Sequence, residues 1–381
     1  MKSTSKRFYF DYNATSPLAT SVKDWLTGGE VFLGNSSALH SSGKAALKFI
    51  NETRDYLLKT YSLDKTHQLF FHSGATEGIN TLTRGFFAYQ KGSFFCSSVD
   101  HAAVFNLQGY LAKTGISTHL FSVNKKGEFD KERLIEEIKN VSQKPVLLNI
   151  TWVNNETGVV WPLNQILEIK KETGCLIHLD AVQTIGKIPD WDLVSSEVDA
   201  LTFSGHKFGA LTGVGFSFVK KNFHFEPLLI GGGQQEGWRS GTVNSYGIYS
   251  LKLAVEEFIS LVDPLACFKA RLLIEEKIKE VLGNKGEIVA EHSNRCSNTF
   301  TLIIKGKKTD SLLMAFDLAG IDVGTGAACS SGLVRPSRVL NNMGFSEDEA
   351  RSSIRFSFGP DLKNSYPEYS TAITDVLQRL V

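Results

Sequence analysis

The chain has 381 residues, with 41 basic and 40 acidic side chains, and 42% of its residues are hydrophobic. That length exceeds what a single hydrophobic core usually serves, so two domains are expected. The balanced charge and the lack of long charged blocks argue against a direct nucleic-acid-binding surface and against a disordered charged tail.

The N-terminal segment is charged and has no apolar stretch after it, which argues against a signal peptide. No apolar run is long enough for a membrane helix. We therefore expect a cytoplasmic protein with no membrane partner.

Strand-like and helix-like segments alternate along the first two thirds of the chain. The hydrophobic pattern predicts strands at residues 68–72, 93–97, 117–122, 145–152, 176–179, 200–203 and 213–220. It also predicts helices at residues 44–61, 131–141 and 164–173, and a helix that ends at residue 87. Such alternation is typical of an α/β fold with a mostly parallel sheet and helical crossovers.

The pattern changes near residue 258. A long charged helix is predicted up to residue 281, followed by a strand at 299–304, a helix at 310–318, a helix from residue 347 and a strand at 354–358. We predict a large domain at residues 16–257 and a smaller α+β domain formed by residues 1–15 and 258–381.

The cysteines are five in number, and no two are spaced as C-x-x-C. A disulfide framework or a structural metal site is therefore not expected. Four of them lie in apolar or mixed sequence and are expected to be inert, namely Cys96, Cys175, Cys267 and Cys296. Cys329 differs because glycines, alanines and serines flank it on both sides, which predicts a loop.

A small-residue turn, Ser73 to Gly78, follows the predicted strand at 68–72 and opens a helix. Free backbone N–H groups and the helix dipole make such a turn a ready site for an anion such as phosphate. An ordinary strand-to-helix connection capped by Ser73 or Thr76 is the alternative.

An acid and an amine follow two further apolar runs. Asp180 ends the run that starts at residue 176, and Lys207 follows the run at 200–203. If both runs are parallel strands, their carboxyl ends bring the two side chains into one crevice. Pyridoxal phosphate needs this pair, because the lysine holds its aldehyde and the acid keeps its pyridine nitrogen protonated. A surface ion pair is the alternative.

These features occur together with further motifs between Phe10 and Gly359. In chain order they are Asp11-Tyr12-Asn13-Ala14-Thr15, Gly34-Asn35-Ser36-Ser37, Ser73-Gly74-Ala75-Thr76-Glu77, Asp100-His101, Val153-Asn154-Asn155-Glu156-Thr157-Gly158, His178-Leu179-Asp180-Ala181-Val182-Gln183, Ser204-Gly205-His206-Lys207, Arg239-Ser240-Gly241-Thr242, Ala327-Ala328-Cys329-Ser330-Ser331 and Ser353-Ile354-Arg355-Phe356-Ser357. With this set the chain resembles the class V, fold-type I pyridoxal phosphate enzymes, and more narrowly the cysteine desulfurases of the NifS/IscS kind.

The resemblance implies a role for each matching residue at the cofactor. Lys207 would carry pyridoxal 5'-phosphate and move the substrate's α-proton, Asp180 would pair with the pyridine nitrogen, and Gln183 would face the phenolic oxygen. Phosphate contacts are implied for Ala75, Thr76, Ser204 and His206, and contacts with both cofactor and substrate for Asn155. His101 would stack on the ring and exchange protons, with a hydrogen-bonded core histidine as the alternative.

The resemblance also implies how substrate and subunits bind. Arg355 and Asn35 would hold the substrate carboxylate, with Arg239 supporting this region. Thr242 would reach the phosphate of the neighbouring subunit's cofactor, which implies a homodimer.

Cys329 separates this chemistry from simple amino-group transfer. A desulfurase needs a thiolate that takes the sulfur of L-cysteine as a persulfide and leaves L-alanine. The sulfur acceptor stays open between an iron–sulfur scaffold, a tRNA-thiolating enzyme and another carrier protein. Alternatives of the same fold are a selenocysteine lyase, a cysteine-sulfinate desulfinase and a small-amino-acid aminotransferase. A catalytically silent partner is disfavoured because Lys207, Asp180, Cys329 and Arg355 are all present.

Overall fold

The computed structural model describes residues 7–28, 34–326 and 335–380. Its strands are β1 (Phe8–Phe10), β2 (His67–His72), β3 (Ser93–Ser97), β4 (Ser117–Phe121), β5 (Val146–Thr151), β6 (Leu176–Asp180), β7 (Ala200–Ser204), β8 (Gly215–Lys220), β9 (Gly286–Ile288), β10 (Thr299–Ile304), β11 (Ile321–Val323) and β12 (Ser353–Ser357). Its α-helices are α1 (Thr20–Thr27), α2 (Ser41–Thr60), α3 (Ala75–Phe86), α4 (Ala102–Phe105), α5 (Leu107–Lys113), α6 (Lys131–Asn140), α7 (Leu163–Thr173), α8 (Ser245–Leu261), α9 (Pro264–Leu282), α10 (Thr309–Leu318), α11 (Arg338–Asn342), α12 (Glu347–Ala350) and α13 (Leu362–Leu380).

The central sheet has seven strands in the order β2-β8-β7-β6-β5-β3-β4. The pairs from β7 through β6, β5 and β3 to β4 are parallel, and β8 is antiparallel to both β7 and β2. Every residue of β3, β5 and β7 is buried, as expected of parallel strands covered on both faces. The prediction of an α/β fold with a mostly parallel sheet is confirmed.

A second, smaller apolar cluster lies outside this sheet. It contains Phe10 of β1 together with side chains of β10, β12, α9 and α13. Strands β12, β10 and β9 form an antiparallel sheet, and β1 pairs in parallel with β11. The N-terminal strand therefore packs with the last third of the chain, more than 300 residues away in sequence. A domain boundary at residue 258 remains a prediction, since α8 continues through that position.

The prediction of one long helix up to residue 281 is wrong, because two helices occupy this region. Helix α8 ends at Leu261 and α9 begins at Pro264. The Asp263 side chain accepts a hydrogen bond from the Ala266 N–H at 3.0 Å and so caps α9. Pro264 has no N–H to donate, which suits the first helical position and breaks a continuous helix.

Helix α12, which begins at the predicted residue 347, is a single turn. The sequence-based prediction has no counterpart for the final helix α13, for the short helices α1, α4, α5 and α11, or for most of α8. Within the described ranges, no helix is both long enough and apolar enough to cross a lipid bilayer.

Candidate active site

A cavity of about 460 Å³ opens at the carboxyl edge of the central sheet. The last residues of β5, β6 and β7, which are Thr151, Asp180 and Ser204, all line it. Nine of the predicted site residues line this cavity, namely Ala75, Thr76, His101, Asn155, Asp180, Gln183, Ser204, His206 and Lys207. Parallel strands bring them together because all their carboxyl ends meet at one edge.

Lys207 lies in a short 3₁₀ turn, Gly205–Lys207, that directly follows β7. Its Nζ donates to the backbone oxygens of Asn13 and Ala14 at 2.7 and 2.8 Å. Burial and the nearby charge of Arg355 together lower the pKa of Lys207 to about 8. An amine with a pKa this close to neutrality can lose its proton readily, which both a nucleophile and a proton carrier require.

Asp180 is the buried acid of the cavity. The Val182 N–H donates to its Oδ1 at 3.1 Å. Burial raises the pKa of Asp180 to about 6, while hydrogen bonding from Val182 and the charge of Lys207 oppose the rise. The carboxyl is therefore mostly ionised at pH 7, and a cationic ring nitrogen would compensate for its lost hydration.

The first turn of α3 supplies N–H groups to the cavity wall. Helix α3 begins at Ala75, and Ala75 and Thr76 both line the cavity. N–H groups in a first turn have no partner within the helix, so they are available to an anion. Glu77 lies in the same turn, and Arg239 pairs with it at 2.9 Å between Nε and Oε1. Arg239 thus neutralises an acid that would otherwise repel a phosphate.

The two cavity histidines are neutral at physiological pH. Burial lowers the pKa of both His101 and His206 to about 4, and the charge of Lys207 acts in the same direction. The Nδ1 of His101 accepts a hydrogen bond from the Ala103 N–H at 3.2 Å, so the ring carries its proton on Nε2. The His101 ring remains accessible from the cavity.

Asn13 connects several of these side chains, although sequence reasoning gave it no role. Its backbone oxygen accepts hydrogen bonds from Lys207 Nζ and, at 3.0 Å, from Gln183 Nε2. Its Nδ2 donates to the backbone oxygen of Asn155 at 3.0 Å. The only signal in the sequence was its place in the turn after the first strand, since the contacts span 142 to 194 positions.

Arg355 lies behind the cavity wall on β12. Its Nη1 donates to the Asn155 oxygen at 3.0 Å, and its Nη2 pairs with Asp11 Oδ1 at 2.6 Å. Asn35 lies in an exposed turn before α2, and Thr242 is exposed as well. Among the described residues, the cavity lining includes none of these three predicted side chains. Cys329 lies outside the described residues.

Two buried acids near the cavity were also missed. Burial raises the pKa of both Asp100 and Glu156 to about 7. Asp100 accepts hydrogen bonds from the Ser97 and Thr151 N–H groups, which joins β3 to β5 below His101. Glu156 accepts a hydrogen bond from Ser337 at 2.5 Å.

The cysteines of the described ranges are free and buried. Burial raises the pKa of Cys175 to about 11 and also raises those of Cys96 and Cys267. A buried thiol with a raised pKa is a poor nucleophile.

Comparison with known proteins agrees with this arrangement. Residues 8–365 match the family model for aminotransferase class-V. A cysteine desulfurase of Nostoc sp. is 33% identical over 358 residues, covering 92% of this chain and 87% of the relative.

Solved structures give the same result. A NifS-like protein from Rickettsia africae superposes with a TM-score of 0.86 at 29% identity, covering 97% of this chain and 99% of the other. A structure of SspA in complex with cysteine superposes with a TM-score of 0.75 at 28% identity, covering 93% and 99% respectively. The chain therefore belongs to the aminotransferase class-V family and, within it, to the cysteine desulfurases.

Proposed function

We propose that this chain is a cytoplasmic, homodimeric enzyme that takes sulfur from L-cysteine, releases L-alanine and carries the sulfur as a persulfide on Cys329. The observation that carries the proposal is the meeting of Lys207, Asp180 and the first turn of α3 in one cavity. These are an amine, a buried acid and an anion site, and together they match pyridoxal 5'-phosphate.

The residues around the cavity fit that cofactor. Ala75 and Thr76 would hold its phosphate through their N–H groups, together with Ser204 and His206. Asp180 would face the pyridine nitrogen, and Gln183 the ring oxygen. Thr151, the last residue of β5, also lines the cavity between these groups. When bound, the cofactor supplies an electron sink that weakens the bonds around the substrate's α-carbon.

Lys207 and His101 would handle the protons. The lowered pKa of Lys207 leaves its Nζ able to accept the α-proton near neutral pH, and two backbone oxygens orient that nitrogen. His101 is neutral, so it can accept a proton on one side of the reaction and release it on the other.

We assign the substrate's carboxylate to Arg355 and Asn35, with Asn155 contacting both substrate and cofactor. Arg355 is close enough to the cavity for its charge to lower the pKa of both Lys207 and His101. Its pairing with Asp11 holds the guanidinium in a fixed plane, which suits a planar anion.

Cys329 would act as the nucleophile towards sulfur. Its thiolate forms an S–S bond as the substrate's C–S bond breaks, so L-cysteine and the free thiol become L-alanine and a persulfide. That persulfide would pass to an acceptor protein, either an iron–sulfur scaffold or a tRNA-thiolating enzyme. Thr242 would contact the cofactor of the second subunit.

The proposal is tested by measuring alanine and sulfide from L-cysteine with a thiol reductant. Wild type should give both in equal amounts, whereas Cys329→Ala should bind pyridoxal phosphate normally and release neither. Cys267→Ala is the matched control, since that thiol is buried on α9 outside the cavity lining and its loss should leave turnover intact. Normal cysteine turnover by Cys329→Ala would refute the role of the thiol, and turnover of selenocysteine alone by wild type would favour the lyase alternative.

A further inference from the structure

A buried lysine, Lys187, contacts Gln183 of the cavity lining and is not itself part of that lining. Lys187 is 2% exposed, and none of the ion pairs among the described residues includes it. Its Nζ donates to Asn13 Oδ1 at 3.0 Å and to Gln183 Oε1. The charge is thus held by the oxygens of two neutral amides.

An ammonium group has donors and no acceptor, so it determines which end of each amide faces it. In Gln183, Oε1 faces Lys187, and Nε2 lies on the other side, where it donates to the Asn13 backbone oxygen. In Asn13, Oδ1 faces Lys187, and Nδ2 donates to Asn155 and Thr299. The ammonium therefore sets the orientation of the Gln183 amide and, together with Asn155 and Thr299, that of the Asn13 amide.

We propose that Lys187 is a positioning residue, which holds Gln183 so that an amide N–H can face the cofactor's ring oxygen, and which anchors the Asn13 side chain next to the backbone oxygen that accepts from Lys207. The inference rests on the proposed binding of pyridoxal phosphate. If Gln183 flipped, its Oε1 would face a negatively charged oxygen, and an attractive hydrogen bond would become a repulsive contact.

A purely structural role explains this lysine poorly. A buried ammonium without a carboxylate partner costs stability, and an apolar side chain of similar length would fill the same space. Burial, together with the charges of Lys207 and Arg355, lowers the pKa of Lys187 to about 7 although Cys296 opposes the shift, so the fold works against this charge. Unlike Lys187, an apolar side chain has no N–H groups to donate to the oxygens of Asn13 and Gln183.

The test compares wild type with Lys187→Met, which keeps the chain length and removes the donors. We measure the dissociation constant for pyridoxal phosphate and the visible absorbance of the bound cofactor as a function of pH. Loss of one hydrogen bond to a charged oxygen should weaken cofactor binding about tenfold. The pH at which the absorbance changes should rise, because a lost donor favours protonation of that oxygen.

A second mutation separates positioning from packing. In a Gln183→Met background, Lys187→Met should cause no further spectral shift, because its effect passes through Gln183. Lys170→Met is the matched control, since Lys170 is a partly buried lysine that pairs with Asp199 away from the cavity. It should lower the thermal stability and leave the spectrum unchanged. An unchanged spectrum in Lys187→Met, or an equal shift in both backgrounds, would overturn the inference.

Gln183→Glu keeps the proposal testable if Lys187→Met does not fold. A carboxylate in contact with the ammonium would form a buried ion pair, so Gln183→Glu should unfold at a higher temperature than Gln183→Met at pH 7. Equal unfolding temperatures would contradict the contact. The proposed function fails in a different way. Wild type that binds no pyridoxal phosphate would refute the cofactor itself. Normal binding by wild type, with an unchanged spectrum in Lys187→Met, would refute this inference alone.

Discussion

At the scale of single residues, burial and nearby charges set the pKa of the working amine. Burial and then the charge of Arg355 lower the pKa of Lys207, and Asp11 and Asp180 only partly restore it. Asp180 therefore has two effects, since it attracts a cationic ring nitrogen and also stabilises the charged form of the lysine.

Asp180→Asn should lower the rate of alanine formation by about 100-fold or more, because an amide cannot keep the ring nitrogen protonated. The pKa of Lys207 should also fall, which moves the acidic limb of the pH–rate profile to lower pH. The steady-state rate across the pH range measures both effects. An unchanged rate at pH 8 would contradict the role given to Asp180.

Glu156 should make the stability of the folded protein depend on pH. Burial raises its pKa from 4.5 to about 7, so the folded chain keeps a proton that the unfolded chain loses. Stability from this group is therefore present below about pH 4.5 and is lost as the pH rises to about 7. Glu156→Gln should remove this part, which is on the order of 3 kcal/mol.

Urea unfolding of the cofactor-free protein at pH 5 and pH 8 measures that difference. Wild type should lose more stability between the two pH values than Glu156→Gln does. Equal losses would show that Glu156 titrates as an exposed acid does.

Sequence reasoning found the residues at strand ends but missed those that depend on distant contacts. Asp180 and Lys207 follow apolar runs, and the geometry of parallel strands was enough to bring them together. Lys187 and Asn13 meet across 174 positions, and no local pattern marks that contact. The order of the motifs along the chain carries no information about which side chains contact Lys187.

At the scale of elements, the charges at the first turn of α3 affect how well this helix end binds an anion. The Glu77–Arg239 pair lies beside the first turn of α3, where the phosphate would bind. Arg239→Gln should leave an unpaired acid there and weaken pyridoxal phosphate binding about tenfold. Arg84→Gln near the other end of α3 is the matched control, and its dissociation constant should equal that of wild type.

The start of α9, at the break after α8, allows a test of the Asp263 cap. Asp263→Ala removes the cap on α9 and should cost about 1 kcal/mol of unfolding free energy. Glu276→Ala, on the exposed face of the same helix, should change stability much less. A smaller loss for Asp263→Ala than for Glu276→Ala would contradict the capping assignment. The pair Asp263-Pro264 indicates this break in the sequence, but the apolar pattern continues on both sides of it and favoured one long helix.

At the scale of the whole molecule, the first strand joins distant parts of the chain. Strand β1 pairs with β11, and the turn that follows it places Asn13 between Lys207 and Asn155. Arg355 on β12 contacts the same Asn155 oxygen. The α/β class followed from the alternating pattern, but strand order and this link depend on long-range packing that the pattern does not encode.

The central claim is that the cavity at Lys207 delivers the sulfur of L-cysteine to Cys329. The most direct measurement is mass spectrometry of the peptides after one turnover of the loaded enzyme with L-cysteine and no reductant. We expect one added sulfur atom on Cys329, none on the four buried cysteines, and one alanine for each modified chain. Alanine formation without added sulfur on Cys329, or added sulfur on another cysteine, would contradict it.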